Sequence, residues 1–391
     1  MESNNKAGRR GHTGALELVE LARSLIRFRT EIPPGNEEGC ARYIHDFLAD
    51  LHVEGAELRL DRFEAGRANL VARFGPGEPG LLLGGHIDVV PAGDESAWTR
   101  PPFEGVVKGG RLYGRGAADM KTGLAAILKA IEAASRGKMR RGLLFVATAG
   151  EEVGFEGLKA LYARRLIPEG AARLGVMGEP TSLRPIRAHK GLADFRITVR
   201  GRSGHASRPE LGVNAIEKCA AIIEAVSGWS RGLSKAPDAD LGCTIATPTV
   251  IRGGTKSNVI PDSCELIVDT RWVPKHGTAF VKKGLDGVVA SLRKDDPALD
   301  ARVELMYDSP SLKLPRSHPA VRLAESLSGF KSEVAPYGTE AALYAEHGVP
   351  SLVLGPGELK QAHIVDEFVE LGEARKALSI YTRMVESVCL A

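Results

Sequence analysis

The run Leu81–Pro91, LLLGGHIDVVP, is apolar along most of its length and closes on His86 and Asp88. It reads as a buried strand, and an uninterrupted apolar strand needs cover on both faces, the setting of a largely parallel sheet. In such sheets, ligands sit beyond the carboxyl ends of the strands. Two titratable side chains at this tip are therefore placed for chemistry. At i and i+2 of an extended chain, they also share a face.

The neighbouring segments extend the pattern. Leu16–Phe28 and EEGCARYIHDFLADL carry apolar residues at helical spacing, and NLVARF reads as a strand. DMKTGLAAILKAIEAASR predicts a helix, GLLFVATA a buried strand, FEGLKALYARRL a helix, and RLGVMGEPT a short strand. Strands alternating with helices predict an α/β domain with a mixed, mainly parallel sheet flanked by helices. After Pro185 the texture changes. LADFRITVRG alternates like a half-exposed strand, and the helical GVNAIEKCAAIIEAVSGW and AFVKKGLDGVVASLRK are interleaved with TIATPTVIRGG and SCELIVDTRWVP. This predicts a separate α+β domain at residues 187–301, inserted between a first part of the main domain (1–186) and a second part (302–391). A chain of 391 residues is more than one core usually serves, so two domains fit its length.

The formal net charge is +3, with no block of like charges, which gives no support for a nucleic-acid or membrane-surface partner. The first residues have no apolar h-region, and no stretch is long and apolar enough for a bilayer. The five cysteines are scattered and never spaced C-x-x-C, which suits free thiols in a reducing cytosol. The expectation is a cytoplasmic protein.

Collected at strand ends and loops are His86, Asp88, Asp119, Glu151, Glu152, Glu179 and His363. Carboxylates packed together without a cation repel one another. Three of them (Asp119, Glu152, Glu179) with one bridging hydroxide balance two divalent ions. Taken singly, each fragment also has a plainer reading. His86–Asp88 could be a surface pair, Glu151–Glu152 acids at a helix start, and His205 in GHAS a solvent-facing loop histidine. GRGAADMKTG lacks the third glycine and the preceding strand of a dinucleotide loop. GRSGHAS is not a nucleophile elbow, and no serine or cysteine has a credible nucleophile setting.

In order, GHIDVVP, GRGAADMKTG, AGEEVG, GEPT and GHAS resemble the M20 family of metallopeptidases and N-acyl-amino-acid deacylases. GEPTSLRPIRAHKG, GRSGHASRPELGVNAIE and YGTEAALYAEHGVPSLVLGPGELKQAHIVDEFVE are most similar to its acetylornithine deacetylase branch. The resemblance implies a zinc-exopeptidase-like main domain and a ferredoxin-like lid or dimerisation domain. It implies one metal site from His86, Asp119 and Glu179 and another from Asp119, Glu152 and His363. Glu151 matches the general base and Asp88 the residue that orients His86. The peptide after Asp119 should be cis. His205 and Asn258 match residues that reach into the partner's site in a homodimer, and Arg271, Lys190 and Thr339 match positions that hold a substrate carboxylate. Thr122 departs from the pattern, which more often has glycine there, and should perturb the helix start and not the ligand. The implied cofactor is a pair of divalent ions, zinc first because imidazole and carboxylate ligands suit it, with cobalt or manganese as substitutes. The implied substrate is a small N-acyl amino acid, first N-acetylornithine. A succinyl-diaminopimelate desuccinylase, an aminoacylase or a dipeptidase is the alternative.

Overall fold

The computed structural model describes residues 17–235 and 237–391. Its first part contains α1 (residues 17–26), α2 (Glu38–Ala49), β1 (Glu57–Glu64), β2 (Arg67–Phe74), β3 (Pro79–His86), α3 (Thr122–Ala134), β4 (Gly142–Thr148), α4 (Glu156–Ala163) and β5 (Gly175–Met177). There follow β6 (Gly191–Arg200), α5 (Ala215–Leu233), β7 (Ile245–Gly253), β8 (Ser263–Trp272), α6 (Thr278–Asp295) and β9 (Asp300–Ser309). The chain closes with α7 (Pro319–Ser328), α8 (Ala341–Glu346), β10 (Ser351–Val353) and α9 (Leu371–Val385).

These elements form two compact units. One comprises the residues up to Arg187 with Leu314–Glu333 and Thr339–Ala391, and the other Ala188–Lys313 with Val334–Gly338. The second unit runs past the boundary of 301 expected from the sequence. The reason is β9, which pairs with β6 from Asp300 to Ser309 and so completes that unit's sheet.

In the first unit, β4, β3, β5 and β10 lie parallel in that order, and the β1–β2 hairpin adds antiparallel strands beyond β4. The sheet is mixed, with a parallel centre. Every residue of β4, and all of β3 after Pro79, is buried, as apolar runs without alternation require. Leu81, Leu83, Leu143 and Phe145 share one core with Leu124, Ile127 and Leu128 of α3 and Ala377, Ile380 and Met384 of α9. The carboxyl ends of β3 and β4 are in register, His86 opposite Thr148.

In the second unit, the sheet order is β7-β8-β6-β9, with every pair antiparallel. With α5 after its first strand and α6 after its third, this is the ferredoxin-like βαββαβ arrangement. The side chain of Asn214 caps α5 by accepting from the amides of Ile216 and Glu217. Phe195, Ile197 and Val199 alternate inward from β6 against Cys219, Ile222 and Val226 of α5 and Val281 and Leu285 of α6. Among the described residues, no helix is long and apolar enough to cross a membrane.

Candidate metal centre

Strand ends deliver most of the site. His86 ends β3, and the chain leaving β4 turns at Gly150 (φ 70°) into Glu151 and Glu152. Glu179 follows β5 by one residue, Gly178. Asp119 stands before α3 in an irregular segment, and the Asp119–Met120 peptide is cis, as the resemblance implies. His363 lies on the loop after β10, held in the left-handed region at φ 63°.

These pieces converge as two triads with a common member. His86 Nε2 is 3.0 Å from Asp119 Oδ1 and 3.6 Å from Glu179 Oε2. His363 Nε2 is 3.3 Å from Asp119 Oδ2 and 2.9 Å from Glu152 Oε1. In each triad the potential ligand atoms lie within 4.8 Å of one another.

The donor set fits divalent cations. His86 Nδ1 is 2.9 Å from the main-chain carbonyl of Asp88 and donates its N–H there. In the neutral ring, that leaves a lone pair on Nε2, aimed at two carboxylates. Such a contact is repulsive unless a cation lies between them or the ring takes a second proton. With the protein's own groups alone, the charges settle by proton redistribution. Burial drives the Glu179 carboxyl up to about 8, with neighbouring Asp119 adding to the shift. Burial also raises Glu151 and Glu152. Hydrogen bonds to Asp119 and Glu152 take His363 up to about 10. Burial opposes ionisation of Asp119, but its hydrogen bonds to His363 and His86 prevail and hold it well below the usual carboxylate range. Bound cations invert this logic, favouring ionised carboxylates and neutral rings.

Asp88 meets His86 through its main chain. Its side-chain Oδ1 is 3.7 Å from His86 Nδ1, beyond hydrogen-bond distance, so its carbonyl orients the ring instead. The Asp88 carboxylate accepts the amide N–H of Glu151 on one oxygen and of Glu152 on the other, each at 3.1 Å. The side chain of Glu151 is half-buried, and its carboxylate makes no hydrogen bond among the described residues. Thr122 is the first residue of α3. Its buried hydroxyl has no partner, and Asp119 keeps its place in both triads.

Two buried carboxylates near the site are not singled out by the sequence. Glu340, one residue before α8, accepts from Thr148 Oγ1 at 2.7 Å, and burial raises it to about 7. Glu367 accepts the amides of Ala118 and Asp119. The only local signal is at Glu340, an acid leading an apolar run in TEAAL; Glu367 in DEFVE has none.

Of the remaining candidates, His205, Asn258, Arg271 and Lys190 belong to the second unit and Thr339 to the first. In the second unit, His205 and Asn258 are exposed neighbours. His205 forms a bridge with Val259, and Ala206 N–H donates to the Asn258 carbonyl at 3.0 Å. His205 Nδ1 accepts from the Ser207 amide at 3.2 Å. Arg271 directs Nε and Nη2 onto the carboxylate of Asp269 at 3.0 and 2.8 Å. The ammonium of Lys190 donates to the Cys243 carbonyl, and burial lowers its pKa. Thr339 is buried in the first unit.

Over this geometry, residues 82–387 match the peptidase family M20/M25/M40. The chain is 37% identical over 330 residues to the acetylornithine deacetylase of Proteus mirabilis, covering 83% of this chain and 84% of that one. Its fold is similar to an M20 family metallo-carboxypeptidase from Sulfolobus solfataricus, with a TM-score of 0.78, 18% identity and 95% and 98% of the two chains covered. A dinuclear metal-binding M20 peptidase from Bacillus subtilis aligns with a TM-score of 0.69 at 16% identity, over 96% and 99% of the chains. The ordered motifs, the paired triads and the length of the match agree, and the chain belongs to peptidase family M20/M25/M40.

Proposed function

We propose that this metal-dependent amide hydrolase removes the acyl group from an N-acyl amino acid at a two-cation centre, with N-acetylornithine as the first candidate substrate. The observation that carries the reading is the pair of triads sharing Asp119, with the unpartnered carboxylate of Glu151 beside them. The substrate candidate rests on the 37% identical acetylornithine deacetylase.

In this reading, His86, Asp119 and Glu179 hold one cation and Asp119, Glu152 and His363 the other. Zinc is proposed on the mixed imidazole and carboxylate donors, with cobalt as its substitute. When bound, such ions polarise the scissile carbonyl and bring the pKa of a water towards about 7. The residues do the rest. Glu151 takes a proton from the attacking water on its carboxylate and passes it to the leaving nitrogen. Asp88 fixes the main chain beneath Glu151. His205 has Nε2 without a partner among the described residues, so it can donate to the developing oxyanion. Asn258 stands beside it. Arg271, Lys190 and Thr339 are assigned to the substrate carboxylate, for which a guanidinium fork is suited. The same proposal includes a homodimer, in which His205 and Asn258 serve the partner's site. The exposed Ile245, Val250 and Ile251 of edge strand β7 are compatible with that assembly. Free cysteines at all five positions suit a reducing cytoplasm.

The test is a screen of zinc- and cobalt-loaded protein against N-acetylornithine, N-acetylcitrulline, N-acetylmethionine and N-succinyl-diaminopimelate, with Glu151→Gln alongside. Deacetylation of N-acetylornithine, with a rate about 10²–10⁴ lower in Glu151→Gln at unchanged cation content, is the expected result. Preference for the succinyl substrate would move the substrate assignment. Full activity of metal-loaded Glu151→Gln would remove Glu151 as the base.

A further inference from the structure

We infer that Glu367 is a positioning residue that holds Asp119 through its main chain, so that one carboxylate outside both triads sets the geometry of both. The inference rests on the two-cation reading above.

Asp119 belongs to both triads, yet the chain around it has little regular support. Residues 117–121 are irregular, with Asp119 (φ −121°, ψ 95°) and Met120 (φ −134°, ψ 28°) outside helical geometry. The amides of Ala118 and Asp119 are buried donors at this break, and such donors are costly to leave unpaired. Both donate to the same atom, Glu367 Oε1, at 2.8 and 3.1 Å. Glu367 Oε2 accepts from Arg115 Nη1 at 2.6 Å. Glu367 is fully buried and the Arg115 side chain is 3% exposed, so this is a dry, charge-assisted arrangement. With both oxygens engaged by the protein, Glu367 is not itself a cation ligand.

The clamp is anchored on its own side as well. The Glu367 carbonyl accepts from Gly114 N–H at 2.9 Å, and Phe368–Glu370 pairs antiparallel with Arg111–Tyr113. The Arg115 guanidinium lies over the Trp98 ring, 5.2 Å from its centroid. One residue earlier, the Asp366 carboxylate accepts the Thr99 amide and hydroxyl, each at 2.8 Å. This segment begins with His363, a member of the second triad. The piece of chain that supplies that imidazole therefore also fixes the aspartate common to both triads. A change at Glu367 should move both sites together, whereas a change at His363 should act on one.

The test compares cation binding, by stoichiometry and by competition with a chromophoric chelator, in wild type, Glu367→Gln, His363→Ala and the double variant Arg115→Met/Glu367→Gln. The double variant leaves no unpaired buried charge. Thermal unfolding of the metal-free proteins reports on the fold separately. Wild type should bind two zinc ions. Glu367→Gln and the double variant should weaken both by about 10–100-fold, the usual cost of losing an outer-shell partner. His363→Ala should weaken mainly one. Wild-type affinity at either site in a folded Glu367→Gln would overturn the inference while leaving the two-cation reading intact. Fewer than two zinc ions in wild type would overturn that reading itself. If Glu367→Gln and the double variant are both unfolded without metal, Glu367 is a strut of the fold and the positioning role is lost.

Discussion

Asp88 holds Glu151 by its main chain, with Oδ1 of the aspartate 3.1 Å from the glutamate amide nitrogen and Oδ2 equally far from the next amide, that of Glu152. The two acids therefore stand on a loop pinned from below by a single carboxylate. The Asp88 carbonyl meanwhile sets the tautomer of His86. Asp88→Asn keeps that carbonyl but turns an NH₂ group towards one of the two amides. The loop must then shift, and misplacement by about 1 Å costs on the order of 10²-fold in rate. We expect kcat of the fully loaded enzyme to fall by about that factor, with KM moving much less. A kcat within twofold of wild type would contradict the role given to this carboxylate.

Glu340 should leave a pH signature on the metal-free protein. Its carboxyl is raised by burial to about 7, against about 4.3 in an unfolded chain. The folded state thus keeps the proton over a window in which the unfolded state has lost it. Stability contributed by this group is complete below the unfolded value and declines as pH rises to about 7, by on the order of 3 kcal/mol. Glu340→Gln cannot ionise and still offers an oxygen to Thr148. Thermal unfolding in the presence of chelator should place the variant higher relative to wild type at pH 8 than at pH 4.5. A difference independent of pH would show that Glu340 titrates normally.

Cation removal should destabilise the protein through the same cluster. Without cations, His86 Nε2 lies against Asp119 and Glu179, whose charges raise its pKa despite burial, and the cluster must take up protons on its imidazoles and on Glu179. A cation that binds only the folded state at 1,000 times its Kd adds about 4.1 kcal/mol. Chelation at pH 8 should lower Tm, and zinc should restore it. Glu152→Gln, which alters one triad, should respond less to zinc than wild type.

The parts of the site that are legible in the sequence share a physical cause. His86 and Glu151 follow apolar runs, and a sheet that needs both faces covered leaves only its strand ends for polar groups. His363 has no such marker. It lies on a loop with positive φ, and only resemblance to the family links it to Asp119. Glu340 and Glu367 escape a reading of the sequence because their burial is made by distant partners. Thr148 is 192 residues away from Glu340 in sequence, and Asp119 is 248 from Glu367. Local pattern carries no trace of such pairings. The limit of the second unit differs from the expected one for a similar reason. β9 alternates only over its first four residues, and nothing within it says that its neighbour is β6.

The start of α3 offers two adjacent substitutions with opposite outcomes. A Cβ on Gly123 would lie 2.1 Å from the carbonyl oxygen of Gly178, the residue before Glu179. One on Gly355 would lie 2.2 Å from the same oxygen, so this peptide is confined from two directions. Alanine is normally better than glycine in a helix by about 1 kcal/mol. At Gly123, however, the clash is with backbone, which has no rotamer to change. Overpacking of this kind costs about 1–3 kcal/mol. Gly123→Ala should therefore lower Tm of the metal-free protein, and by displacing Glu179 it should weaken the His86–Asp119–Glu179 site more than the site containing His363. Thr122→Ala, one residue earlier, removes a buried hydroxyl that has no partner. It should leave Tm unchanged or raise it, because no hydrogen bond is lost. Thermal unfolding with zinc titration of both variants checks the pair. If Gly123→Ala binds both ions as wild type does, the packing of α3 on Gly178 does not govern Glu179.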